Sequence, residues 1–233
     1  MPIFSSGTPD IAAIATSQEV GVTRYSKFLL DCLRDLPIAG KKACDFGSGT
    51  GVIGIGLFEL GASEVVFVEP YETAQALTVR NAELFLPNNQ TWSLIANVDE
   101  LPKSSWGTFE CMVSNPSSLP TTQTNNNSGQ FYAGGPLGLD MINDMIEASK
   151  RLLTPGGTLY FLLTTLSDYK TVLRSIGKDF SHVEVCNVVQ FDFRPHYQDH
   201  EEYWERLREK NKVFFFSNGS QRVELVFFVR AVI

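Results

Sequence analysis

A short run in the first quarter of this 233-residue chain carries its clearest chemical signal: Asp45-Phe46-Gly47-Ser48-Gly49-Thr50-Gly51. Glycines at alternate positions remove Cβ atoms and let a ligand lie against the backbone, and a helix starting directly after them offers free N–H groups. Three readings are open for such a loop. Gly49-Thr50-Gly51-Val52-Ile53-Gly54 is also a formal GxGxxG, and Glu69 follows Gly49 by twenty residues, close to the spacing of the ribose-binding acid in dinucleotide sites. The loop can equally be a turn that holds nothing. The third reading is S-adenosylmethionine (SAM), and Asp45 favours it. A carboxylate directly ahead of the first glycine would face a pyrophosphate with like charge, whereas SAM has no phosphate and presents an ammonium and a sulfonium.

Three further polar positions fall where apolar runs end. Val65-Val66-Phe67-Val68 finishes in Glu69, a carboxylate able to take both hydroxyls of a ribose. Trp92 to Ala96 leads to Asn97-Val98-Asp99, which reads either as a polar contact to an adenine edge, through Asp99, or as a turn cap. Phe109 to Ser114 ends in Asn115-Pro116, where a side-chain carbonyl can orient an acceptor; the alternative for Asn115 is a turn former. Ligands of open α/β sheets gather at the carboxyl ends of strands, so convergence of Glu69, Asp99 and Asn115 on such ends is the strongest functional indication.

The elements that must hold these residues alternate along the chain. Residues 9 to 19 and 24 to 36 read as helices, the second with Phe28, Leu29, Leu33 and Leu36 on one face. A strand over Lys42 to Phe46 precedes the glycine loop, and helices to about Leu60 and from about Thr73 to Leu86 flank the Val65 to Glu69 strand. Leu139 to Leu153 is an amphipathic helix, and Pro155-Gly156-Gly157 turns the chain into a strand over Thr158 to Thr164. After a helix at 168 to 176 the rhythm changes: Val183 to Phe193 and Arg222 to Ile233 read as an antiparallel pair, with a charged helix, about Asp199 to Lys210, in their connection. This is an α/β chain with a mostly parallel sheet, read as one domain over 1–233, with 1–36 as an N-terminal helical segment and 194–219 inserted between the last two strands.

Composition narrows the partners. Hydrophobic residues make up 43% and charged residues 19%, enough for a folded core. The net charge of −7 counts against a nucleic-acid partner, since phosphate binding needs clustered Lys and Arg. Cys32, Cys44, Cys111 and Cys186 form no CxxC pair, and His182, His196 and His200 form no zinc pattern, so the expectation is reduced thiols and no metal. No apolar stretch reaches membrane-spanning length, and MPIFSSGTPD lacks a signal-peptide pattern. A cytoplasmic protein is expected.

Together these residues resemble the class I SAM-dependent methyltransferases, with DFGSGTG as the first motif. More narrowly, the chain is similar to the glutamine N-methyltransferases that modify release factors and a ribosomal protein. The likeness rests on VEPYETAQALTVRNAE, FECMVSNP and YAGGPLGLDMI, and spans about Gly21 to Thr164. It implies a Rossmann-like seven-stranded sheet, mostly parallel with an antiparallel last strand, helices on both faces, and SAM as cofactor. Asp45, Gly47, Ser48, Gly49 and Gly51 would seat the methionine end, Glu69 the ribose and Asp99 the adenine edge, with Asn115 between cofactor and acceptor. That family carries Asn-Pro-Pro-Tyr where this chain has Asn115-Pro116-Ser117-Ser118, and its release-factor members have a helical domain ahead of the catalytic one, for which the residues before Asp45 are too few. Both departures shift the expected acceptor from a release factor to a small molecule or peptide. A protein methyltransferase of the glutamine type and a SAM- or nucleotide-binding module without catalysis are the alternatives.

Two segments are expected to close over the acceptor: Ser117 to Tyr132, and Phe193 to Gly219. With Asn115 they contribute Pro116, Ser117, Tyr132, His196, Tyr197 and Trp204 as acceptor contacts. The alternative for the second segment is a helix packed by its aromatics on the sheet edge. The glycine loop and its two carboxylates predict that calorimetry will detect binding of SAM and S-adenosylhomocysteine and none of NADH; the reverse pattern would refute the assignment.

Overall fold

Consecutive residues of a strand point to opposite faces, so a run with no polar interruption has to be covered on both sides. Val65-Val66-Phe67-Val68 and Cys111-Met112-Val113 are such runs, and both lie mid-sheet in the computed structural model, which describes residues 4–5, 8–9, 13–17, 20–88, 90–122 and 132–233. Five strands run parallel: β1 (Lys42–Phe46), β2 (Glu64–Val68), β3 (Thr91–Ile95), β4 (Phe109–Ser114) and β5 (Leu153–Thr164). β6 (His182–Asp192) and β7 (Gln221–Val232) complete the order β3-β2-β1-β4-β5-β7-β6, with β7 antiparallel to both its neighbours. The expected seven strands are present, and a three-residue strand, Phe216–Asn218, adds an eighth against the start of β7.

Alternation along the strands divides the interior in two. Ala43, Phe67, Val113 and Leu162 pack with α1 (Arg24–Leu33) and α2 (Val52–Glu59), through Leu29, Leu30, Leu33, Ile53 and Leu57. Their sequence neighbours Cys44, Val66, Met112 and Phe161 pack instead with α4 (Asp140–Leu152) and α5 (Tyr169–Asp179), through Ile142, Met145, Ile146, Val172 and Ile176. α3 (Glu72–Phe85) joins the first group through Ala82. The four cysteines are free thiols, and no helix among the described residues is long and apolar enough to cross a membrane.

The strand order reverses between β1 and β4, which separates their carboxyl ends and opens a crevice there. One contact at this point has no room for a side chain. A Cβ at Gly54 on α2 would fall 2.1 Å from the Phe67 ring on β2, so glycine allows helix and sheet to approach.

Three expected boundaries differ. The helix read over 9–19 falls partly outside the described residues, and its described residues are not helical: Pro9 belongs to a short strand, Thr8–Pro9, paired with Phe4–Ser5. At Ala15 the Asn81 carboxamide takes the place of helical partners, accepting from the backbone N–H at 2.9 Å and donating to the carbonyl at 3.1 Å. β5 starts at Leu153, ahead of the expected Thr158, because the chain pairs with Phe109 before Pro155-Gly156-Gly157 and resumes after an irregularity in register. The expected helix over 199–210 is α6 (Glu201–Glu209), preceded by a 3₁₀ stretch, Pro195–His200.

The segment between β6 and β7 builds a third cluster of its own. Tyr197, Trp204, Leu207, Val213 and Phe215 are buried with Leu119 and Leu166, and Phe193 packs against them. The Trp204 indole N–H donates to the Pro120 carbonyl at 2.8 Å, pinning this segment to the chain after β4. Trp204→Ala should therefore lower unfolding free energy by about 3–5 kcal/mol, the usual cost of truncating a fully buried Trp; urea unfolding that shows a loss below about 1 kcal/mol would contradict this packing.

Candidate functional site

The crevice is a cleft of about 660 Å³ lined by Gly47, Ser48, Gly49 and Thr50 of the loop, Glu69 after β2, Asn97 to Asp99 after β3, and Asn115 after β4. Of the residues expected to hold cofactor, these share one space, while Asp45 and Gly51 sit behind it. Asp45 is 1% exposed, and its carboxylate accepts the N–H of Gly54 at 2.8 Å, tying the end of β1 to the first turn of α2. Burial pushes its pKa up to about 7, opposed by the Gly54 bond, with the nearby Glu69 adding to the rise.

Glu69 holds the loop from the other side. One oxygen accepts the Gly49 N–H at 2.8 Å and the other accepts the Tyr71 N–H at 3.1 Å. Each oxygen keeps a lone pair for a further donor such as a ribose hydroxyl. Burial raises this carboxyl above its ordinary pKa, against both backbone bonds. Gly49 itself has φ +58°, and an added Cβ there would meet only Val20, at 3.8 Å, so the backbone stands bare beside the cleft it lines.

Two residues that brace the loop were not singled out from sequence. Thr78 on α3 donates to the Gly49 carbonyl at 3.0 Å, and Asn81 donates to the Thr50 carbonyl at 2.8 Å. Their signal was available: two polar side chains three apart on the buried face of α3, inside VEPYETAQALTVRNAE.

After β3, the cap is Asn97, whose side chain accepts the Asp99 N–H at 3.0 Å. Asp99 accepts from Arg151 Nη1 at 2.8 Å at the cleft edge. After β4, Asn115 Nδ2 donates to Ser26 Oγ at 3.3 Å. Asn115 also borders a second cavity of about 100 Å³, reached by Pro116, Ser117, Tyr132 and Tyr197. Trp204 lines neither cavity. The side chain of His196 lies outside what the structure describes, as do residues 123–131 of the segment expected to close over the acceptor.

Beside the second cavity lies a buried network that sequence reasoning missed. Glu224, on β7, is wholly buried and accepts from the hydroxyls of Tyr25 and Thr164, with Arg24 Nη2 3.5 Å away. Tyr25 and Tyr197 hydroxyls are 2.8 Å apart. Burial pushes the Glu224 pKa up, opposed by those hydroxyl bonds and by Arg24 and Arg194. The only advance sign was a single acid inside Val223-Glu224-Leu225-Val226.

The charge distribution distinguishes the ligands still open from sequence. Five carboxylates line the larger cleft (Glu69, Asp99, Asp140, Asp144, Glu147) against two guanidiniums, Arg151 and Arg194. That balance repels a pyrophosphate and suits a ligand bearing an ammonium and a sulfonium. Among the described residues no group of His, Cys, Asp and Glu could hold a metal ion.

Comparison with known proteins agrees. Residues 19–191 match the methyltransferase small domain family, and the chain belongs to it. A provisionally named protein N5-glutamine methyltransferase of Methanocaldococcus jannaschii is 26% identical over 159 residues, covering 67% of this chain and 78% of that protein. A ribosomal protein L11 methyltransferase of Vibrio campbellii is 36% identical over 78 residues, which are 30% of this chain and only 26% of that relative's length. The 16S rRNA N2 G1207 methyltransferase of T. thermophilus, solved with AdoMet and guanosine, superposes with a TM-score of 0.53 at 18% identity, over 89% of this chain and 43% of that one. At that identity the likeness is one of fold.

Asp45 gives a test by pH. Its folded pKa lies above the unfolded value, so ionising it costs stability, and that cost grows as pH rises from about 4 to about 7. A fixed positive charge nearby favours the ionised form. The ratio of SAM to S-adenosylhomocysteine affinity should therefore rise as pH passes through about 7, and Asp45→Asn should flatten the rise. A pH-independent ratio in the unaltered protein, measured by calorimetry, would show that Asp45 does not sense the cofactor's charge.

Proposed function

We propose that this chain transfers the methyl group of SAM to a nitrogen or oxygen of a small-molecule or peptide acceptor. One observation carries the reading: the larger cleft, with the loop and Glu69, meets a smaller second cavity at Asn115. A site with one space for cofactor and an adjoining one for a second reactant is what group transfer between two molecules requires. Ser48 to Thr50 and Glu69 would hold the methionine and ribose portions, and Asn97 to Asp99 would border the adenine. SAM supplies an activated methyl group when bound. The chain's own task is then to align the acceptor, and aligned reactants are worth up to about 7–11 kcal/mol.

Asn115 would do this. Its amide N–H is anchored on Ser26, which fixes the carboxamide and leaves its carbonyl to accept from an acceptor N–H or O–H. Ser117 and Ser118 border the second cavity where an aromatic would close it in the glutamine-modifying family, so the space is more polar. The M. jannaschii relative favours a second reading, methylation of a protein glutamine. The chain's net charge of −7 and the carboxylates around the cleft favour a small acceptor over RNA.

Mass spectrometry of the protein incubated with SAM and pools of small amines, alcohols, acids and glutamine-bearing peptides separates the two readings. Methylation confined to the glutamine peptides would favour the protein acceptor. Asn115→Ala should leave SAM affinity nearly intact and lower kcat/KM for the acceptor by roughly 10²-fold, as expected for losing one positioning group. Full activity in that variant would remove Asn115 from the mechanism.

A further inference from the structure

The second cavity has a chemistry of its own. Tyr25, Tyr197 and Thr164 bring hydroxyls to its wall. All three are committed. Tyr25 and Thr164 donate to Glu224, and because the Tyr25 proton is spent there, the 2.8 Å contact between the tyrosines is completed by Tyr197 donating to Tyr25. Buried carboxylates are costly unless satisfied, and this one is satisfied by hydroxyls drawn from the cavity wall and by Arg24 at 3.5 Å. Those three hydroxyls are therefore spent, and the other polar groups of the wall, from Thr23, Asn115, Ser117, Ser118 and Tyr132, are neutral.

Arg194 is the exception. It lines both cavities, at the side where they meet beside Asn115. Its guanidinium lies 4.9 Å from the centre of the Tyr25 ring, a stacking contact that uses none of its five N–H donors. Among the described residues it makes no ion pair, and the nearby Glu224 is already met by Arg24. Of the described residues that line this space of about 100 Å³, Arg194 alone is charged, in a chain whose net charge is −7. With a water occupying about 30 Å³ of liquid, that space takes a carboxylate and two or three carbons.

We propose that the second cavity is an anion subsite, in which Arg194 holds a carboxylate at one end of the acceptor while the reacting atom faces Asn115. The substrate class is then a small organic acid, or a peptide bearing a free carboxylate, with a methylatable nitrogen or oxygen a few bonds from it. This rests on the methyl-transfer reading for the identity of the acceptor, and the test separates the two.

Butyrate and its neutral isostere butyramide, titrated into the protein by ligand-observed NMR with and without saturating S-adenosylhomocysteine, provide the probe. Butyrate should bind about ten-fold more tightly than butyramide, the advantage of a charge-assisted pair over a neutral hydrogen bond. Arg194→Gln should abolish that preference, and Arg194→Lys, which keeps the charge, should retain part of it. Equal affinities in the unaltered protein, no butyrate binding, or a preference that survives in Arg194→Gln would overturn the inference. Failure of S-adenosylhomocysteine to bind in the same samples would overturn the methyl-transfer reading and leave the butyrate comparison standing on its own.

Discussion

The bond from the Gly54 N–H to the buried Asp45 carboxylate is the constraint on which the site depends. It joins the last turn of order in β1 to the first turn of α2, so the glycines between them have to fold into a tight loop. That loop is then bound from three directions: Glu69 on the Gly49 N–H, Thr78 on the Gly49 carbonyl, and Asn81 on the Thr50 carbonyl. Leaving these groups bare in a buried position would cost about 1–3 kcal/mol each. With them paired, the loop needs no ligand to hold its shape, and Gly49 still presents open backbone to the cleft.

Glu224 repeats this logic at the second cavity, with a different outcome. Asp45 is met by a backbone N–H and lies close to Glu69, another acid. Glu224 is met by two side-chain hydroxyls and by Arg24 at 3.5 Å. The first carboxylate organises backbone; the second organises side chains, fixing Tyr25, Thr164 and, through Tyr25, Tyr197. One chain thus places a negative environment around the larger cleft and a local positive surplus around the smaller one. Those two environments lie side by side at Asn115, Ser117 and Arg194, which line both.

What was legible from sequence follows from the range of each interaction. β2 and β4 were readable because their apolar runs are long enough to specify strands by themselves, and β1, which holds Lys42 and Asp45, because the glycine loop follows it; strand ends, where ligands of such sheets gather, pointed to Glu69, Asp99 and Asn115, which line the cleft. Of the helix read over 9–19, the described residues are not helical, and the backbone partner at Ala15 is Asn81, 66 residues away. Trp204 was readable as aromatic but not as inward- or outward-facing: an amphipathic helix has the same pattern whether it covers a ligand or a core. The pairing of Tyr25 with Glu224 spans 199 residues. Only the closing of β7 between β5 and β6 brings it about, and no local pattern reports that.

The same distinction explains how far the relatives inform function. The family match ends at residue 191, which takes in the glycine loop, Glu69, Asp99 and Asn115. Arg194, Tyr197 and Glu224 all follow it, and the aromatic cluster around Trp204 that holds the chain after β4 follows it too. Of the thirteen described residues that line the second cavity, ten lie within the matched range and three, Arg194, Tyr197 and Val226, beyond it. The half of the site that would hold the cofactor lies within the matched range, and the half that would choose an acceptor is completed by residues beyond it. Likeness to methyltransferases of L11, glutamine or rRNA therefore bears on the first half. The acceptor has to be read from Asn115, Ser117 and the charge around Arg194, because these are the groups that it would touch.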